Sequence, residues 1–86
     1  MRLDLFLKHS RLVPRRPVAQ EMCDAGAVTL NGHVAKSGKS VSIGDEISIK
    51  FRGRQTTVRV LTVPARPPSK ADAAGLYELT SVTTYE

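Results

Sequence analysis

Between Ser10 and Met22 the chain carries three arginines and two prolines: Arg11, Arg15 and Arg16, with Pro14 and Pro17 flanking the arginine pair. Guanidinium groups held close together repel one another, and their planar donors match the oxygens of phosphate or carboxylate. Prolines on both sides restrict the backbone, so the pair is preset and less order is lost on binding. Anion recognition is therefore the chemistry these spacings offer. Other constellations are weaker. Cys23, His9 and His33 fit no zinc spacing. Ser10 beside His9 is sequence proximity with no third group to orient a base. Gly38 and Gly44 are isolated, so no glycine-rich phosphate loop is present. These features point to binding rather than catalysis, with no cofactor and no metal.

The charge distribution agrees. Thirteen Lys and Arg against eight Asp and Glu give +5 over 86 residues. Residues 1–54 hold ten of the basic and five of the acidic side chains, and residues 55–86 hold three of each. A sided excess of this kind suits a polyanion, nucleic acid ahead of a membrane surface. A solvated basic face that only confers solubility, or an adaptor face for an acidic protein, would carry the same charge. No apolar run approaches the ~20 residues of a membrane span. Asp4, Lys8 and His9 interrupt any signal-like N-terminus, and the single cysteine suits a reducing, cytoplasmic compartment.

The elements that must position these groups follow from periodicity. Leu3, Phe6 and Leu7 follow an i, i+3, i+4 pattern, which predicts a short first helix over about residues 3–9, kept from continuing by Pro14. Asp4 either caps that helix or orients Arg2. Pro17 suits the first position of a second helix over about 17–25, with Val18, Ala19, Met22 and Cys23 as its apolar stripe and Gly26 closing it. Beyond Gly26 the period changes to two. Val28 and Leu30 alternate with polar neighbours up to a structural Asn31-Gly32 turn. Gly44-Asp45 precedes a strand with Ile47, Ile49 and Phe51 on one face. "RGR" at 52–54 turns into a strand with Val58, Val60 and Thr62 on one side. A proline-rich loop ends in a helical turn near Asp72-Ala73-Ala74, and a last strand closes the chain. The fold class is α+β, two N-terminal helices packed on a small, mostly antiparallel sheet. The length makes 1–86 a single domain, with the C-terminal strands over 55–83. Phe6 and Phe51 read as core, so no base-stacking platform is expected, and Cys23 reads as core too.

With Arg16 as the cap of helix two, the amides of Val18 and Ala19 would have no intrahelical partner and would stay open to an anion beside the arginine pair.

Taken together, Arg2-Leu3-Asp4 with Leu7, Arg15-Arg16, Gly26-Ala27-Val28 with Asn31-Gly32, Lys36, and Val41 with Gly44-Asp45 resemble the signature of the S4-type RNA-binding domain over about residues 2–50. Pro17 stands where the family often has a capping threonine, and Pro14 where a basic residue is more usual. The resemblance implies that Arg2, Arg11, Arg15 and Arg16 face RNA, with Lys8 on the same surface. Asn31, Lys36 and Lys39 lie in its turn region, where an ordinary charged loop is the alternative for the two lysines. Such contacts reach phosphates and read shape more than sequence. No catalytic domain is attached, and the basic helical extension of the heat-shock member is absent. Length and the "ADAAGLYEL" tail are most similar to the small members that act in bacterial ribosome-associated quality control. That resemblance implies a monomer binding large-subunit rRNA and peptidyl-tRNA on obstructed large ribosomal subunits, where it would support C-terminal alanine tailing by an RqcH-like factor. The rival within the family is a role in assembly or stalled-subunit rescue.

Overall fold

Leu3, Phe6 and Leu7 lose all solvent exposure in the computed structural model, which describes residues 1–84. They form the inner face of helix α1 (Leu3–His9). The helix is closed five residues before Pro14. Ser10 donates its amide to the Phe6 carbonyl and its hydroxyl to Leu7, and Arg11 turns the chain at φ 63°. Val13 before Pro14 is buried, as an extended pre-proline residue can be.

Helix α2 (Arg16–Asp24) begins one residue earlier than its sequence suggests. Arg15, in an extended conformation, is the cap, and Pro17 takes the second helical position. Ala19 and Cys23 are the buried stripe, while Met22 is half-buried and Val18 is exposed. At the other end Gly26 sits at φ 76°, with Gly26 N–H on the Cys23 carbonyl and Ala27 N–H on Met22. This paired closure needs a left-handed residue, which is why glycine occupies it.

The remaining elements are β1 (Val28–Leu30), β2 (His33–Val34), β3 (Glu46–Phe51), β4 (Arg54–Val60), α3 (Lys70–Ala73) with a following 3-10 turn, and β5 (Tyr77–Thr84). The strands make one antiparallel sheet in the order β2-β1-β3-β4-β5. Asn31-Gly32 and Arg52-Gly53 join β1 to β2 and β3 to β4, all four residues at positive φ. That geometry matches the right-handed twist of the strands they connect. Val28 pairs with Ile49, Leu30 with Ile47, and Ile47 with Val58, so the apolar residues of three strands share the face that the helices cover.

Two expectations about the sheet are corrected. Phe51 is in phase with Ile47 and Ile49 but remains 54% exposed, because β3 runs past the cover that the helices provide. Thr62 is exposed and outside β4. The strand stops at Val60, since the amides of Leu61 and Thr62 turn to the Leu76 carbonyl of the 3-10 turn. Tyr85 lies outside the described residues. No helix among the described residues is long and apolar enough to cross a membrane.

Candidate nucleic-acid interface

Asp4 is the organising group of the basic surface. It sits in the first turn of α1 and has no solvent exposure. Its Oδ1 accepts from Arg2 Nε at 3.2 Å and from the Leu5 amide at 2.8 Å. Its Oδ2 accepts from Gln20 Nε2 at 2.8 Å, from Arg16 Nε at 3.3 Å and from a terminal nitrogen of Arg2 at 3.3 Å. Burial pushes this carboxyl upward, but the hydrogen bonds from Arg2, Gln20, Arg16 and Leu5 outweigh it and hold the pKa at about 2. One carboxylate thus joins the start of α1 to the first turn of α2. Asp4 performs both of its alternative roles, satisfying the first-turn Leu5 amide of α1 and orienting Arg2, and it orients Arg16 as well.

The two guanidinium groups are fixed but not hidden. The Arg2 side chain is 51% exposed and that of Arg16 is 40% exposed, so their outward N–H groups face solvent. Two guanidinium charges around one carboxylate leave a net positive site with its geometry already set.

The segment 36–41 is locked against this site. Leu3 N–H donates to Lys39 O at 2.8 Å and Asp4 N–H to Ser37 O at 3.1 Å, while Arg2 bridges Ser40. Gly38 lies in contact with the Arg2 guanidinium, where an added Cβ would sit 3.6 Å from Cζ. Lys36 and Lys39 are therefore held exposed beside Arg2. At the far end of α1, Lys8 and Arg11 are exposed. The His9 pKa is lowered by burial and then by the charges of Lys8 and Arg16, which ties this end of α1 to the same positive field.

Two other residues fall outside that cluster. Arg15, although adjacent in sequence to Arg16, lines a groove with Phe51, Arg52 and Arg54. Of the pair, Arg16 is the one that hydrogen-bonds Asp4. Asn31 is spent on structure, its amide nitrogen donating to Asp45 at 3.2 Å and its carbonyl oxygen accepting the Glu46 amide at 2.9 Å. Of the two amides at the start of α2 expected to stay open to an anion, Ala19's is taken. Because the cap is Arg15, the Ala19 amide already donates to the Arg15 carbonyl at 3.0 Å.

Sequence reasoning missed Gln20, although its i, i+4 spacing from Arg16 was the available signal, since both then share a helix face. It also missed Arg52 and Arg54, which carry no helical or turn-independent pattern linking them to Arg15. Burial, with Asp4 and Asp24 nearby, raises the Cys23 thiol to about 11, so it stays protonated in the core. Among the described residues no group of three His, Cys, Asp or Glu side chains could hold a metal ion.

Comparison with known proteins gives a consistent result. The S4 domain family model matches residues 1–47. The RQC P-site tRNA stabilizing factor of Halalkalibacterium halodurans is 47% identical over 92% of this chain and 89% of its own. That of Streptococcus pneumoniae is 42% identical over 100% and 97%. Among solved structures, the trimeric heat shock protein 15 of Vibrio cholerae superposes with a TM-score of 0.86 at 31% identity, covering 94% of this chain and 82% of that one.

Proposed function

The chain belongs to the S4 domain family and is homologous to the RQC P-site tRNA stabilizing factors, and on that premise we propose that it is a non-enzymatic RNA-binding protein of ribosome-associated quality control. It binds large-subunit rRNA and the P-site tRNA on obstructed large ribosomal subunits, in the cytoplasm and as a monomer, and there supports alanine tailing by an RqcH-like factor. The observation that carries this reading is the Asp4-centred cluster. A buried carboxylate holds Arg2 and Arg16 in place with both side chains still partly exposed. Lys8, Arg11, Lys36 and Lys39 extend the positive surface around it, and Arg15 adds charge from the neighbouring groove. Groups of this type position a protein on sugar–phosphate chains rather than read bases.

The reading is tested with stalled large subunits carrying peptidyl-tRNA. Alanine tails should lengthen when this protein is added to an RqcH-like factor, and an Arg2→Ala/Arg16→Ala variant should co-sediment with the subunits more weakly and support less tailing. Unchanged tailing with the folded double variant would remove the cluster from the mechanism. Enhanced subunit assembly without any effect on tailing would favour the assembly role instead.

A further inference from the structure

A second surface lies on the flank of α2, away from the Asp4 cluster. Between the start of α2 and the β3–β4 turn runs an open groove of about 610 Å³. Its floor is apolar, built from Val13, Val18, Met22, Ile49 and Phe51. Val18 is 37% and Phe51 54% exposed, so two large apolar side chains meet water here without cover. The rim is cationic. Arg15, Arg52 and Arg54 line it, no acidic residue does, and none of the three pairs with a carboxylate among the described residues.

A phosphate chain could engage the arginine rim but leaves the apolar floor unexplained. Phosphate needs charge and gains nothing from aliphatic side chains, while base stacking needs an open aromatic face. The Phe51 ring already carries its own arginine, with Arg52 Cζ 5.1 Å from the ring centroid. An apolar floor within an arginine rim matches instead a polypeptide that presents large apolar side chains flanked by carboxylates. We propose that this groove docks an acidic amphipathic segment of a protein partner. Its apolar side chains cover Val18, Met22 and Phe51, and its Asp or Glu residues pair with Arg15, Arg52 and Arg54. The inference rests on the groove alone and does not require that the Asp4 cluster bind RNA.

The test uses the full chain and two labelled probes. One is a helical peptide with Leu or Phe on one face and Glu on the flanks; the other is a single-stranded oligouridylate of similar length. In backbone amide spectra the peptide should perturb Val18, Met22, Ile49 and residues 51–54 saturably, and the oligonucleotide should not. Phe51→Ser and Arg54→Glu change exposed side chains, so the folded spectrum should persist while peptide affinity falls by about tenfold or more. Arg2→Ala should keep the wild-type peptide affinity. A lysine-flanked version of the peptide should bind at least ~10-fold more weakly than the glutamate one. The proposal is overturned if the acidic peptide does not saturate, if both peptides bind equally, or if the oligonucleotide occupies the groove and displaces the peptide.

Discussion

Asp4 exchanges hydration for hydrogen bonds from Arg2, Arg16, Gln20 and the Leu5 amide. A buried carboxylate without such donors would not stay ionised. Its pKa is depressed from the ordinary 3.8 to about 2. The stabilisation is therefore complete above about pH 4 and is lost as the pH falls through 2, amounting to about 2 kcal/mol. Asp4→Asn should lower unfolding free energy by about that much at pH 7. The gap between variant and wild type should close on acidification toward pH 2, as urea titrations at stepped pH would show. The same variant should weaken RNA binding, because Arg2 and Arg16 lose the group that aims them. A variant as stable and as tightly bound as wild type would mean that the carboxylate only fills space.

At the scale of elements, α2 is defined by its two ends. Arg15 caps it in an extended conformation and Gly26 closes it at φ 76°. A Cβ at Gly26 would meet only Val34 Cγ1, at 4.0 Å, so the cost of a side chain there is conformational rather than steric. Gly26→Ala should destabilise the fold by about 1 kcal/mol. Large-subunit affinity should be retained wherever the variant is folded, since the cluster lies at the opposite end of the helix. Thermal melts beside co-sedimentation would separate the two effects. Much of this level is legible in residue order. The spacing of Leu3, Phe6 and Leu7 matches α1, and Asn31-Gly32 marks its hairpin, because both depend on neighbours a few positions away. The start of α2 lies at Arg16, one residue before the position Pro17 suggests. Arginine at a cap leaves no hydrogen-bonding signature, and Pro17 is compatible with the second helical position as well as the first.

The whole molecule acts through its uneven charge. Ten basic residues in residues 1–54 give a field that should make binding to large subunits strongly salt-dependent. Each phosphate contact contributes ~0.7–0.9 to the slope of log affinity against log salt. Arg2→Ala/Arg16→Ala should therefore flatten that slope by roughly 1.4–1.8 if each guanidinium neutralises one phosphate. A slope unaffected by the double substitution would place the RNA contacts elsewhere on the basic surface.

Residue order alone determined the helix spacing, the sharp turns, the closure of α2 by glycine and the concentration of positive charge in residues 1–54. Each of these is local, or a sum over the chain. Tertiary structure decided that residues 2, 4, 16 and 20 share one hydrogen-bonded site, that Arg15 lines the groove beside Phe51 while Arg16 joins Asp4, and that Phe51 stays in water. Those outcomes depend on how α1 packs against α2 and on how far both helices reach across the sheet. Such distances are set by side-chain packing between segments far apart in sequence, and no short-range spacing encodes them.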